Sequence, residues 1–328
     1  MLLTRLAALA RQERVQLVLL SGDLLDSDHS YFETGEELCR CLAGMGAPVF
    51  IAPGNHDYYS SGSPYAAMEW PDNVHIFRSR RPEAVRLEEE GVTVYGAAFT
   101  APHAGPELEG FRARSGERAV MVLHGEWTEG ESLYCPIRRA FAEGSGLSYL
   151  ALGHVHGSFV QKVGRTTVAN PGCAMGRGFD EVGEKGALLA ELSDDGCLVR
   201  PVPLGARPYR IRTLDVTGRD PIQAADAVLP ADTRDEICRL ILTGECLVPD
   251  LSALRRALEG RFFDLELCDR TRPPLELWSG LQEDSLKGAF LRRMRACFDE
   301  ASDEDKPTAA LAAHLVLELM DGREVAEE

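Results

Sequence analysis

Hydrophobic residues fall along this chain in short unbroken runs that stop abruptly at polar residues. Val15 to Leu20 (VQLVLL) gives way at once to Ser-Gly-Asp, and Pro48 to Ile51 to a turn at Pro53, Gly54 and Asn55. Ala119 to Leu123 (AVMVL) runs into His124, and Leu147 to Leu152 into Gly153 and His154. A short apolar run of this kind is the mark of a strand covered on both faces, as in a parallel sheet. Ligands of open α/β sheets bind at the carboxyl ends of strands, so four such ends rich in Asp, Asn and His predict one convergent site.

The rest of the pattern supplies the frame. Leu2, Leu3, Leu6, Leu9 and Ala10 share one helical face, and a second helical stretch spans Glu36 to Leu42. Val74 to Phe77, Val85 to Leu87 and Val92 to Tyr95 read as strands of a second, more antiparallel sheet. Two further strands, Ala187 to Leu192 and Leu198 to Val202, precede a proline-bearing linker from Pro201 to Pro208. The pattern then restarts in β-α-β-α-β order: strand Tyr209 to Val216, helix Pro221 to Val228, strand Ile237 to Thr243, helix Leu251 to Leu258, strand Phe262 to Leu267. From Leu281 to Met320 there are two helical patterns, divided by the charged break Asp299 to Asp305. No internal repeat or low-complexity tract interrupts this order. The expected organisation is a two-sheet α/β sandwich flanked by helices over residues 1–204, a smaller α/β domain over 205–275, and a helical tail over 276–328.

Composition narrows the function more than the fold. A formal charge of −17 repels phosphate backbones at long range, which argues against autonomous DNA binding. Nine cysteines without a C-x-x-C pair suggest neither a disulfide framework nor a zinc knuckle, and are expected to be reduced thiols of a cytoplasmic protein. Arg5 interrupts the apolar amino terminus and no small-residue cleavage site follows, so a helix is expected there rather than a signal peptide. No apolar run approaches the roughly 20 residues that span a membrane.

The chemistry concentrates in four segments: Gly22-Asp23-Leu24-Leu25-Asp26, Gly54-Asn55-His56-Asp57, Leu123-His124-Gly125 and Gly153-His154-Val155-His156. They hold four of the eight histidines, together with an Asn and three Asp. Imidazole and oxygen donors without thiolate suit Mn, Fe or Zn in a catalytic site, whereas magnesium prefers oxygen alone and structural zinc recruits cysteine. Glycine ahead of Asp23, Asn55 and His154 allows a sharp turn after each strand and a close approach by a ligand.

In this order the segments resemble the calcineurin-like metallophosphoesterase family, whose pattern is D-x-H, G-D-x-x-D, G-N-H-D/E, a lone His and G-H-x-H. The last four are present between Gly22 and His156. The resemblance implies that Asp23 bridges two divalent ions, by expectation Mn. Asn55, His124 and His154 would complete one coordination sphere, and His156 would join Asp23 on the other ion. His56 would protonate the leaving oxygen or steady the phosphate, and Asp26 would orient His56. The opening D-x-H finds no counterpart, because the helix before Gly22 begins essentially at Met1. The expectation is one full metal site and half of a second, with impaired hydrolysis, and truncation of an upstream strand is preferred to natural loss.

Two longer segments, Tyr149 to His156 and Asn170 to Gly186, look like the bacterial SbcD/YhaO branch of exonucleases. That likeness implies a nuclease of DNA repair working with an SMC-like ATPase, with the small α/β domain as a cap over the DNA path and the tail helices as docking elements. Pro171 and Gly172 would form a turn near the site, and Arg177 would reach a substrate phosphate, an ordinary structural arginine being an equal reading. A homodimer is among the expected assemblies. The alternatives are a phosphatase or cyclic-nucleotide phosphodiesterase of the same fold, and a non-catalytic scaffold for the ATPase.

Overall fold

In a computed structural model of the chain, residues 2–25, 32–194, 196–247, 249–302 and 305–322 are described. The chain divides into two compact units: Met1–Gly176 with Glu184–Ala206, and Arg177–Gly183 with Arg207–Glu328.

The first unit opens with α1 (Leu2–Gln12), β1 (Val18–Leu20), α2 (Phe32–Ala43), β2 (Val49–Ile51), the single-turn α3 (Pro64–Ala67) and β3 (Val74–Ile76). There follow β4 (Glu83–Leu87), β5 (Val92–Gly96), β6 (Arg118–His124), the short pair β7 (Glu126–Trp127) and β8 (Pro136–Ile137), and α4 (Arg139–Gly144). β9 (Tyr149–Gly153), β10 (Phe159–Val163), β11 (Thr166–Asn170) and the hairpin β12 (Gly186–Ser193) and β13 (Gly196–Pro203) complete it.

These strands form two main sheets. β1-β2-β3 is entirely parallel, and β10-β11-β9-β6-β5-β4 is parallel through β11, β9, β6 and β5 with antiparallel edges. Alternation along β2 shows the layering. Val49 and Ile51 join the cluster that receives Ala7 and Ala10 of α1 and Leu38 and Leu42 of α2. Phe50, between them, faces the other way into an inter-sheet core with Val94, Val120, Val122 and Ala151. The far face of the larger sheet buries Met121, Leu123, Leu150 and Leu152 against Phe99 and Ile137.

Val74 to Ile76 was expected in the second, antiparallel sheet but pairs parallel with β2 in the first, in register Val49↔Val74. Its three residues are too few for alternation to reveal a partner. The strand expected from Val15 is paired only from Val18 to Leu20.

The second unit contains β14 (Tyr209–Asp215), α5 (Pro221–Val228), β15 (Ile237–Thr243), α6 (Leu251–Ala257) and β16 (Asp264–Asp269), a three-stranded parallel sheet. β16 lies two residues later than its sequence pattern suggested at both ends. Both helices start on an aspartate cap: the Asp220 carboxylate accepts from the N–H groups of Ile222 and Gln223, and that of Asp250 from Ala253. Leu214, Cys238, Leu240 and Leu242 pack with Ala224, Ala225, Leu254 and Leu258 of these helices. The tail helices α7 (Leu286–Glu300) and α8 (Lys306–Met320) pair around Leu291, Ala310, Ala313 and Leu317 and cluster with this unit.

Arg177–Gly183, assigned by sequence to the first domain, also clusters with the second unit. The reason is visible in its contacts. Gly183 bridges to Tyr209, and Phe179 packs edge-on to Tyr209 and under the Arg239 guanidinium, 4.1 Å from its ring centroid.

Candidate metal centre

β1 and β2 deliver Asp23 and Asn55 from one sheet, while β6 and β9 deliver His124 and His154 from the other. The site therefore stands where the carboxyl ends of two sheets meet. The backbone bends hard to reach it. Gly22 has φ +78°, and a Cβ there would lie 2.7 Å from the Gly54 nitrogen. Gly54 in turn leaves room for the Asp23 carboxylate, because a Cβ would stand 2.1 Å from Asp23 Oδ1. Of the three motif glycines only Gly22 needs the left-handed conformation. At the other strand end it is His154 itself, φ 91°, that adopts it, as does Asp23 at φ 51°. Two non-glycine residues held in this region at one site are stored backbone strain.

The donor atoms converge. Ligand atoms of Asp23, His124 and His154 all lie within 4.8 Å of one another. His124, 1% exposed, is 2.8 Å through Nδ1 from the Ser21 carbonyl. A carbonyl only accepts, so Nδ1 carries the proton, and a neutral ring then has a bare lone pair on Nε2. Around that Nε2 stand Asn55 Oδ1 at 2.9 Å, Asp23 Oδ2 at 3.3 Å and His154 Nδ1 at 3.3 Å. Lone pairs crowded this closely repel one another unless a cation, or a proton carried by one of the nitrogens, joins them. The set fits a divalent transition metal in its mixture of nitrogen and oxygen donors. Burial, then the neighbouring His124, pushes the His154 imidazole below its ordinary value, against the pull of Asp23 and Glu126. That favours the neutral form which ligates metal.

Asp57, which sequence reasoning quoted but gave no role, organises the ligand loops. Fully buried, its carboxylate accepts from the backbone N–H groups of Asp23 (3.1 Å), Leu24 (2.7 Å), Leu25 (3.3 Å) and Gly54 (2.7 Å). The Tyr65 hydroxyl donates a fifth bond at 2.6 Å. Burial pushes this carboxyl up, and the Tyr65, Gly54 and Leu24 donors pull it back. Five donors aimed at two oxygens suit the ionised acceptor. The clue in the sequence was an aspartate directly after a ligand pair in a strand-end turn, where carboxylates commonly cap backbone N–H groups.

The remaining predicted residues are dispersed. His56 is exposed, and its backbone N–H donates to Asp23 Oδ1 at 3.1 Å, fixing the carboxylate whose other oxygen faces His124. His156 is exposed on the loop after β9. Asn170, 1% exposed, secures that loop: Nδ2 donates to the carbonyls of Val155 (2.8 Å) and Gly157 (3.4 Å), and Oδ1 accepts from Gly172 N–H at 3.0 Å. Pro171 and Gly172 thus belong to a clamp on the histidine loop. Arg177 lies in the second unit, its backbone N–H donating to the Glu181 carboxylate at 2.8 Å. Asp26 lies outside the described residues. All nine cysteines are free thiols. Among the described residues no helix is long and apolar enough to cross a membrane.

The chain is 33% identical over 196 residues to the uncharacterised metallophosphoesterase YhaO of Bacillus subtilis (strain 168), an alignment covering 56% of this chain and 47% of that protein. The chain thus spans about half the length of this curated relative. Among solved structures it resembles TT1561 of Thermus thermophilus, with a TM-score of 0.41 and 13% identity over 61% of this chain and 92% of that one. Residues 1–158, which include Asp23, Asn55, His124 and His154, match the family model described as calcineurin-like phosphoesterase.

Proposed function

We propose that this chain is a metal-dependent phosphoester hydrolase acting on phosphodiesters, with DNA as its substrate and Mn as its metal. The observation that carries the reading is the cluster of oxygen and nitrogen atoms around His124 Nε2, supplied by Asn55, Asp23 and His154. A divalent cation, when bound, supplies the positive charge that lets hydroxide attack an anionic phosphoester.

The chain's own residues do the rest. The Ser21 carbonyl holds His124 in the tautomer that ligates, and the His56 N–H turns the Asp23 carboxylate so that Oδ2 faces the centre. Asp57 ties the Asp23 loop to the Asn55 loop, so the two oxygen ligands keep their spacing. His56, exposed next to Asn55, gives a proton to the leaving oxygen. Asp23 and His156 would serve a second ion.

The acidity of the chain, −17, supports division of labour: an SMC-like ATPase grips the DNA and this chain cuts it. The test is Mn-dependent hydrolysis of bis-p-nitrophenyl phosphate, single-stranded DNA and cyclic nucleotides, by the chain alone and with a D-x-H strand added upstream. Turnover of the diester and DNA that His154→Ala abolishes supports the reading. Turnover of cyclic nucleotides alone would make the protein a cyclic phosphodiesterase. Silence on every substrate, with the strand added, would make it a scaffold.

A further inference from the structure

Next to the metal centre stands an aromatic group that the hydrolytic chemistry above does not use. The Tyr134 ring lies 4.6 Å from the His154 ring, centroid to centroid, inclined by 33°. His103 approaches the same tyrosine at 5.6 Å and 52°. His154 covers part of the tyrosine ring, which stays half-exposed, and His103 is exposed. Leu133, the preceding residue, is 67% exposed.

The loop is firmly held despite this exposure. The Tyr134 carbonyl accepts from Glu126 N–H at 3.1 Å, and its own N–H donates to Ser132 Oγ at 3.0 Å. The following residue, Cys135, is buried and carries φ 52°, an unfavourable conformation for a non-glycine side chain. A strained residue fixed by packing beside a metal-ligand ring is the sort of local expense that accompanies function.

We propose that Tyr134 and His103 form an aromatic wall at the rim of the metal centre, which receives a planar aromatic group attached to the scissile phosphate. The class of substrate is a phosphodiester bearing a nucleobase or an aryl ring. This rests on the phosphoester reading above and sharpens it. Stacking on an aromatic side chain tolerates any base, because every base presents a π-face, so the wall selects for a ring near the phosphate without reading sequence. Tyr134 acts as a specificity residue, its contact with His154 setting the distance from ring to phosphate.

The experiment compares ligand pairs in the full chain with Mn present. One pair is a phosphorothioate-linked 2-aminopurine dinucleotide and its abasic counterpart, followed by fluorescence and by competition. The other is diphenyl phosphate and dimethyl phosphate. The wall predicts that the ring-bearing member of at least one pair binds about tenfold tighter, with 2-aminopurine quenched on binding. The pair that shows the preference distinguishes base from aryl. Tyr134→Phe keeps that preference, Tyr134→Leu loses it, and His103→Ala, at an exposed position, weakens it without touching the core. Mn affinity, titrated separately, stays within about twofold in all three variants. Equal binding of ring-bearing and ring-free ligands overturns the wall, as does a Tyr134→Leu variant whose only change is loss of Mn, which would make the tyrosine a mere prop for His154. Release of p-nitrophenol from bis-p-nitrophenyl phosphate is scored independently. A ring preference without hydrolysis would leave the wall standing and remove the hydrolase, and hydrolysis without a preference would do the reverse.

Discussion

Asp57 carries more of this site than any residue that could touch a metal. Its two oxygens face five donors, three on one oxygen (Leu24, Leu25, Tyr65) and two on the other (Asp23, Gly54). Asp57→Asn is nearly isosteric, yet either orientation of the amide turns an NH2 group toward at least two of those donors. The expected cost is about 2 to 4 kcal/mol, read from urea denaturation; a change under about 0.5 kcal/mol would refute the role given to Asp57. His154 gives a second expectation at this scale. Its folded pKa lies below the unfolded value, so the unfolded chain binds that proton more readily. The stability tied to neutral His154 is present above the unfolded imidazole value of about 6.5 and is lost as pH falls through it. The metal-free chain should therefore unfold at lower urea near about pH 5.5 than near about pH 7.5, and His154→Gln should flatten that difference. Residue by residue, the convergence of Asp23, His124 and His154 was legible because each is a polar side chain placed where an apolar run stops. Asp57 and Asn170 were not given their roles, since both work by accepting or donating to backbone groups of distant loops, and such partners leave no mark on the local pattern.

At the level of elements, strand existence was read well where the run was long and apolar, as in β6 and β9, and poorly where it was three residues long. β3 shows the limit: Val-His-Ile alternates equally well in either sheet, and only the parallel pairing with β2 decides its place. The loop after β9 shows the converse, since its shape comes from β11. Asn170 at the end of that strand holds the carbonyls of Val155 and Gly157, on either side of His156. Asn170→Ala removes these bonds and leaves His154 and His156 in place chemically. Mn affinity should fall about 10- to 100-fold, the usual effect of losing an outer support, measured by titration calorimetry. Unchanged affinity would mean that the loop holds its shape alone.

For the whole molecule, the sequence placed a restart of the pattern near Tyr209 on the prolines before it. It could not anticipate that Arg177–Gly183, seven residues in the midst of the first unit's sequence, would cluster with the second, because aromatic contact between Phe179 and Tyr209 is long-range. All the converging ligands sit in one unit. Calorimetry should accordingly resolve two unfolding steps, of which Mn raises only one, by about 5–10 °C at a hundredfold excess over its dissociation constant. A single step, raised as a whole by Mn, would mean that the units unfold as one. The meeting of two sheets at the metal centre has a mechanical corollary. Asp23 and Asn55 hang from one layer and His124 and His154 from the other, so an ion held by all four is a rivet through the sandwich. Chelation should then loosen the two layers against each other, quickening amide exchange along the facing ends of β1, β2, β6 and β9 while sparing their opposite ends.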